Sequence, residues 1–392
     1  MPLSGSDMYD AIVVGGGPSG STAARKLAVQ GWRVLLLDKA QFPRYKVCGG
    51  GLTLRAAKQL DIDVSPVIQG EIRAMNLCCD GTLRHTFRRD DPLIYMVMRD
   101  EFDHLLLNAA IAAGVDTRLG HPVTAVECDD DGVRVRTREG VFQGRYLIGA
   151  DGVNSPTARM LGLMQDKNKI LALEYEVDVP EQVLRRYEGT VAIDYGFIRG
   201  GYAWVFPKRR HLSVGIGLGT RDGNFLKERL QTYMEREAIQ GHIRSEKGFF
   251  LSVGGGHQPF TRGRCALVGD AAGLVDPLMG EGIYYALRSA NILAEELPRA
   301  AEREPLCPFS VYEQRVEQEL RAEMRLFRRA GHLFHAMPRR VHRLFIKHPS
   351  MVQHAFRVIA GETTFAEFYH RQRSRRPWLR VVSHILLRRS PD

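Results

Sequence analysis

The 392-residue sequence is sparing with cysteine: Cys48, Cys78, Cys79, Cys128, Cys265 and Cys307 show neither CxxC spacing nor the density of a small stapled scaffold. This argues against structural zinc and against a disulfide framework, so no metal ligands are assigned and most of the thiols are expected to be buried and reduced. No uninterrupted apolar run approaches the ~20 residues a membrane-spanning helix needs, and no basic segment followed by a signal-like apolar core opens the chain. The expected location is therefore the cytoplasm. A hydrophobic fraction of 44% and a charged fraction of 26% are those of an ordinary globular protein, with length for a large core and two or three domains.

What the chain does have begins at Tyr9. The β-branched run Ile12-Val13-Val14 leads into Gly15-Gly16-Gly17-Pro18-Ser19-Gly20, which spells Gly-x-Gly-x-x-Gly, and then into a helix-compatible run from Ser21 to Gln30 closed by Gly31. This spacing predicts strand, tight turn and helix. Gly15 allows the turn, Gly17 lets backbone approach a pyrophosphate, and Gly20 lets helix pack on strand, so the helix N-terminus faces the phosphates. A second apolar strand, Arg33 to Leu37, ends in Asp38, about 20 residues on, where a carboxylate can accept hydrogen bonds from an adenosine ribose. Gly-x-Gly-x-x-Gly alone is a weak signal; flanking strand, helix and terminal acid together make it a dinucleotide site. The glycine runs Gly215 to Gly219 and Gly254 to Gly256 have no helix pattern behind them, so a second, dedicated NAD(P)H domain is not expected.

Past Asp38 stands a loop with three cations, Lys39, Arg44 and Lys46, then Cys48 and the glycine run Gly49-Gly50-Gly51, giving way to a helical pattern at Leu52, Leu54, Ala57 and Leu60. Such a loop suits phosphates or a flavin ring, or it is a basic surface loop. Asp80-Gly81 signals a hairpin within Ile72 to Phe87, assigned to a second sheet. A helix with Asp100 as cap and Arg99 just before it runs toward Gly114. Short strands at Val123–Val126, Val133–Val135 and Val141–Phe142 lead to Tyr146 through Asn154, a second strand-to-glycine turn containing Asp151-Gly152.

Leu161 to Pro259 reads mainly as strands. In Gly201 to Pro207 the period of two puts Tyr202, Trp204 and Phe206 on one face, as ordinary sheet core or as a wall of an apolar cavity. A third glycine turn follows at Gly269-Asp270, then Gly280-Glu281-Gly282-Ile283 and a helix to about Leu297. Asp270 is placed to hold ribityl or ribose hydroxyls. The helix N-terminus would stabilise negative charge on a reduced flavin by roughly 0.3 to 1 kcal/mol. Beyond Leu306 the chain reads as helical, with Val316, Leu320, Met324 and Phe327 on one face. From Arg321 onward there are 16 Lys/Arg against four acids (Glu323, Glu362, Glu367 and Asp392). Near the end an apolar stripe at Trp378, Val381, Val382, Ile385 and Leu386 opposes Arg376, Arg380 and His384. A basic amphipathic helix can lie in a lipid interface, or it simply covers the protein's own body.

Together the three glycine turns resemble the signature sites of FAD-dependent enzymes with the p-hydroxybenzoate hydroxylase fold, over about 300 residues. Two stretches are similar to the geranylgeranyl reductase family in particular: Pro43-Arg44-Tyr45-Lys46-Val47-Cys48-Gly49-Gly50 to its Pro-Arg-x-Lys-x-Cys-Gly-Gly loop, and Tyr202 through Pro207 to its Tyr-x-Trp-x-Phe-Pro strand. The implied fold is α/β. A discontinuous Rossmann-like FAD-binding domain takes residues 1–71, 96–160 and 260–300. An inserted antiparallel β-sheet substrate domain takes 72–95 and 161–259, and a basic helical C-terminal region takes 301–392. The resemblance assigns to FAD the residues Gly15, Gly17, Pro18, Ser19, Gly20, Asp38, Lys39, Arg44, Cys48, Gly49, Gly50, Arg99, Val123, Asp151, Gly152, Gly269, Asp270, Gly280, Gly282 and Ile283.

The implied reaction saturates isolated C=C bonds of a prenyl chain, by hydride from reduced FAD plus a proton, with electrons from NADPH, NADH or ferredoxin. Positioning and exclusion of water would carry much of the catalysis. Cys48, Tyr202 and Trp204 are the expected catalytic residues, and Tyr202, Trp204 and Phe206 the apolar substrate wall. Cys48 is either a proton donor or gate, or a small residue that fits a crowded turn. The expected partners are a prenyl lipid, an electron-carrier protein, and an anionic membrane surface on the inner face met by the basic C-terminus at about 1 kcal/mol per cation; no nucleic acid is expected. The alternative is a flavin monooxygenase or halogenase acting on an aromatic or apolar substrate. Halogenases carry Trp-x-Trp-x-Ile-Pro, and Tyr202 and Phe206 depart from it.

Overall fold

The computed structural model describes residues 8–166, 168–219, 222–253 and 258–375. At its centre is the strand Tyr9–Val14, in which Ala11, Ile12 and Val13 are wholly buried. Such a run needs cover on both faces, which a parallel sheet between helices supplies. The strand pairs in parallel with Val34–Asp38 on one side and Val141–Gly149 on the other. Cys265–Leu267 continues the sheet beyond Val141–Gly149, and Asp116–Leu119 beyond Val34–Asp38, again in parallel. Three adjacent strands therefore end at the same edge, and each is followed by one of the three glycine turns. Ligands of open parallel sheets bind at that edge.

A seven-stranded sheet forms a second layer among the described residues, in the order His242–Ser252, Lys169–Asp178, Leu212–Leu218, Gly201–Pro207, Thr190–Tyr195, Ala74–Cys79, Leu83–Arg88. Every pairing is antiparallel except Thr190–Tyr195 with Ala74–Cys79. A small sheet of Gly51–Thr53, Ile94–Val97 and Ile68–Ile72 sits where the chain passes between the two layers. The helices Ala322–Ala336, Pro338–Lys347, Pro349–Ile359 and Phe365–Arg375 follow. Val316, Leu320, Met324 and Phe327 share a buried face, as their spacing requires.

The structure departs from the sequence expectations at several places. The pattern at Leu52 to Leu60 is a strand, Gly51–Thr53, then only a short helix, Leu54–Ala57; Thr53 caps it by accepting the Ala56 N–H. Met98, not Asp100, is the N-cap of helix Arg99–Ala112, which moves Arg99 into the first turn, four residues from Asp103. The strand expected from Val123 begins at Ala125, leaving Val123 in a loop, and Val141 to Gly149 is one nine-residue strand. Within the strand-rich stretch lies a helix, Gly223–Arg236, capped by the Asp222 side chain. The apolar stripe at Trp378, Val381, Val382, Ile385 and Leu386 falls outside the described residues.

Candidate active site

The first turn is held by contacts that admit no side chain. A Cβ on Gly20 would fall 1.8 Å from the Gly15 carbonyl oxygen, and one on Gly15, at φ +109°, 2.4 Å from that of Ala150. The helix Pro18–Val29 therefore starts directly against the strand ends, with Gly17 as an N-cap that offers no side-chain acceptor. Gly15, Gly17, Pro18 and Ser19 line a cavity of about 1310 Å³; Gly20 packs behind them. Asp38 and Lys39 line it too. The Asp38 carboxylate accepts the Gly16 N–H at 2.6 Å and the Ala40 N–H at 2.8 Å, so it braces the turn.

Asp151 and Gly152 border the same space, and so does Val123 from its loop. Asp151 accepts from Ser155 Oγ and from the Thr157 N–H, the latter at 2.9 Å. Asp270, Gly280, Gly282 and Ile283 close the third side. Gly269 does not line the cavity; its N–H donates to Ser289 Oγ at 3.0 Å and it packs on Ser19. Gly269 and Gly20 are thus packing positions behind the site.

The cationic loop turns inward. Asp103, wholly buried, accepts from Arg99 at 2.7 and 2.8 Å and pairs with Arg44 at 3.1 Å. Two guanidiniums on one carboxylate leave net positive charge beside the glycine turns, and Arg44 Nη1 is buried with no partner among the described residues. Arg99 also lies beside the Cys48 side chain. Burial pushes the Lys46 ammonium below its ordinary range, with Arg99 adding to the effect. An uncapped helix N-terminus, side-chain-free turns and an orphaned guanidinium nitrogen suit a dinucleotide pyrophosphate.

The two most distinctive stretches of the sequence meet here. A Cβ on Gly49 would fall 2.7 Å from Phe206 Cδ2 and 3.4 Å from Trp204 Nε1, so the Cys48-Gly49-Gly50 turn lies flat on the aromatic strand. Cys48, Gly49, Gly50, Tyr202, Trp204 and Phe206 all line the cavity. Ring centroids are 5.8 Å apart for Tyr202–Trp204 and 6.3 Å for Trp204–Phe206. Tyr202 O–H donates to the Met279 carbonyl at 2.7 Å, joining the aromatic wall to the third turn. Burial pushes the Tyr202 hydroxyl above its ordinary range.

Sequence reasoning missed several participants. Glu281, inside the third motif, takes Arg55 Nε at 2.8 Å and Thr53 Oγ1 at 2.5 Å, and Arg55 also reaches Glu323 at 3.4 Å. Asp276, wholly buried, lines the cavity, and burial pushes its carboxyl up to about 7. Its Oδ1 accepts the Leu278 and Met279 N–H groups, while Oδ2 has no partner among the described residues. The cavity also runs on under the C-terminal helices, where Phe334, Phe345, Met351, Phe356 and Phe368 line it. Pockets for one drug-sized ligand hold roughly 300–1,000 Å³, so this one takes more than a single such molecule.

The FAD binding domain family matches residues 8–303. The digeranylgeranylglycerophospholipid reductase of Thermoplasma volcanium is 32% identical over 330 residues, 77% of this chain and 81% of that protein. The menaquinone reductase of Mycobacterium tuberculosis is 32% identical over 325 residues, 75% and 78% of the two chains. A solved geranylgeranyl bacteriochlorophyll reductase-like protein of Thermoplasma acidophilum superposes with a TM-score of 0.74 at 26% identity, covering 83% of this chain and 88% of that one. A flavin-dependent brominase superposes with 0.72 at 19% identity over 90% and 94%, a likeness of fold alone. The fold is thus that of the p-hydroxybenzoate hydroxylase-like flavoproteins, and the chain belongs to the geranylgeranyl reductase family of FAD-dependent oxidoreductases.

Proposed function

We propose that this oxidoreductase saturates isolated C=C bonds in a prenyl chain of geranylgeranyl type. The observation that carries the proposal is the packing of the Cys48-Gly49-Gly50 turn on Trp204 and Phe206, at a cavity that continues as apolar space under the C-terminal helices. Bound FAD in its reduced state supplies the hydride. Gly15, Gly17, Pro18 and Ser19 would face its pyrophosphate, with Arg44 Nη1 as a further donor, and Asp270 and the Gly282 end of the last motif its ribityl and ring. Tyr202, Trp204 and Phe206 hold the alkene and exclude water, which an unactivated double bond requires. Cys48 is the proton donor facing that wall.

Electrons come from NADPH, NADH or a carrier protein such as ferredoxin, because the sequence holds a single strand–GxGxxG–helix. The substrate reaches the cavity from a bilayer. No helix among the described residues is long and apolar enough to cross a membrane, whereas helix Pro338–Lys347 exposes Arg340, Arg343, Ile346 and Lys347. Flotation with anionic vesicles at low salt, lost at high salt, is the expected result; no flotation removes this docking.

The proposed chemistry is tested by reducing the FAD-loaded protein without oxygen and adding a prenyl lipid. Reoxidation of the flavin with a mass gain of two hydrogens in the lipid is expected. Reoxidation only by oxygen, with a hydroxylated or halogenated product, would instead assign the monooxygenase or halogenase activity of the shared fold.

A further inference from the structure

Behind the cavity wall lies a buried group of ionisable side chains that touches the Cys48 turn from the far side. Glu174, on strand Lys169–Asp178, is 1% exposed, and its Oε1 accepts the Cys48 N–H at 3.2 Å. Lys208, just past strand Gly201–Pro207, is 3% exposed; its ammonium donates to the Gly49 carbonyl at 2.5 Å and to that of Val97 at 3.2 Å. Neither side chain lines the cavity. Between these two grips the turn closes on itself, with the Gly50 N–H donating to Cys48 Sγ at 3.4 Å and the Val97 N–H to the Gly50 carbonyl at 2.8 Å. Gly50 sits at φ +67°, and a Cβ there would fall 2.0 Å from Val97 O and 2.7 Å from the Lys208 ammonium.

The group gathers buried charge of both signs. Glu176, two residues along the same strand face, accepts from Ser213 Oγ at 2.9 Å, and its Oε2 lies 2.8 Å from His211 Nε2, in contact but out of line for a ring N–H bond. Two buried carboxyls thus face the Lys208 ammonium, with Lys46 also acting on Glu174. Burial, with Glu176 beside it, pushes Glu174 up to about 8. Burial pushes Lys208 the other way, opposed by Glu176 and Glu174. The charged and titratable groups around Cys48 are Arg99 from its helix, Lys46 from the same loop, Tyr202 from the aromatic strand, Lys208, and Glu174 from the strand behind, which takes the Cys48 N–H.

Resting on the reading of the cavity as the reaction chamber, we propose that Lys208 and Glu174 are positioning residues that clamp the Cys48-Gly49-Gly50 turn and set the charge next to the thiol. The clamp fixes the distance between Cys48 and the aromatic wall. Losing it leaves the buried Val97 carbonyl and the half-buried Gly49 carbonyl without this donor, and the former is costly to leave unpaired.

The test measures alkylation of Cys48 by iodoacetamide against pH in FAD-loaded protein, read by mass spectrometry on the Cys48 peptide. Lys208→Met removes a nearby cation and is expected to move the pH midpoint of alkylation up by roughly one unit, about a tenfold slower reaction below it. Lys208→Arg restores the midpoint. Glu174→Gln keeps an acceptor for the Cys48 N–H but cannot ionise, so its midpoint moves down, opposite in sign, and it decides the matter should Lys208→Met fail to fold. Identical midpoints in all variants that fold, or full protection of Cys48 in every one, would overturn the proposal. No prenyl substrate enters the readout, so it stands or falls separately from the reductase assay.

Discussion

Tyr202 and Met279 are joined by a 2.7 Å hydrogen bond from the phenol to a backbone carbonyl, and through it the aromatic wall is fixed to the loop preceding helix Ile283–Arg303. Tyr202→Phe keeps the ring and deletes this link, leaving a half-buried carbonyl without this donor. A loss of about 0.5–1.5 kcal/mol in unfolding free energy is expected. Turnover on a prenyl lipid should fall with FAD affinity unchanged, as checked by denaturant melts and by flavin retention on gel filtration.

Gly215 lies directly across from Trp204 in the sheet, and a Cβ there would fall 2.1 Å from the indole Cζ2. Gly215→Ala therefore drives the indole into the cavity or the strand off register. Overpacking of this kind costs about 1–3 kcal/mol. The expected kinetic signature is a raised KM for long prenyl substrates and a smaller effect on short ones.

Asp276 supplies a pH prediction. Its carboxyl rises from an ordinary value near 3.8 to about 7 in the folded chain, so the folded state binds the proton more tightly than the unfolded one. Stability from this group is full at acid pH, declines as pH rises through about 7, and is lowest above it. Asp276→Asn keeps the acceptor for Leu278 and Met279 and removes the charge. It should be more stable than the parent at pH 8, by at most about 4 kcal/mol, and equal to it below pH 4. Melting temperatures across that range decide it.

Arg55 is 5% exposed and stands between Glu281 and Glu323, with its guanidinium 4.2 Å from the centre of the Tyr284 ring. Arg55→Met leaves two buried carboxylates facing each other. Breaking a buried pair from one side costs about 3–5 kcal/mol. The double change Arg55→Met with Glu281→Gln should recover part of that loss in a double-mutant cycle.

The three glycine turns could be read from the sequence because each is a short, local arrangement of strand, glycine and helix, and the sheet aligns them without any further signal. Tyr202, Trp204 and Phe206 share a face for the same local reason. The helix Gly223–Arg236 was hidden by Gly223 at its start and by a low overall hydrophobicity, although Leu226, Leu230 and Tyr233 mark its buried side. Met98 displaced Asp100 as a cap because strand Ile94–Val97 runs straight into the helix. The side-chain partners of Arg55, Glu174 and Lys208 lie 111 to 268 residues away along the chain, and no spacing rule reaches that far. Nor could composition reveal that the basic C-terminal helices also roof the cavity.

The parallel join of Thr190–Tyr195 to Ala74–Cys79, and of Val141–Gly149 to Cys265–Leu267, bears on the order of synthesis. When Cys79 is joined to the growing chain, its parallel neighbour strand is still more than a hundred codons from being made. The flavin pocket is likewise missing its third side until Leu267 has emerged. Such distant pairing makes for slow acquisition of structure, and nascent chains released before Leu267 should be colourless.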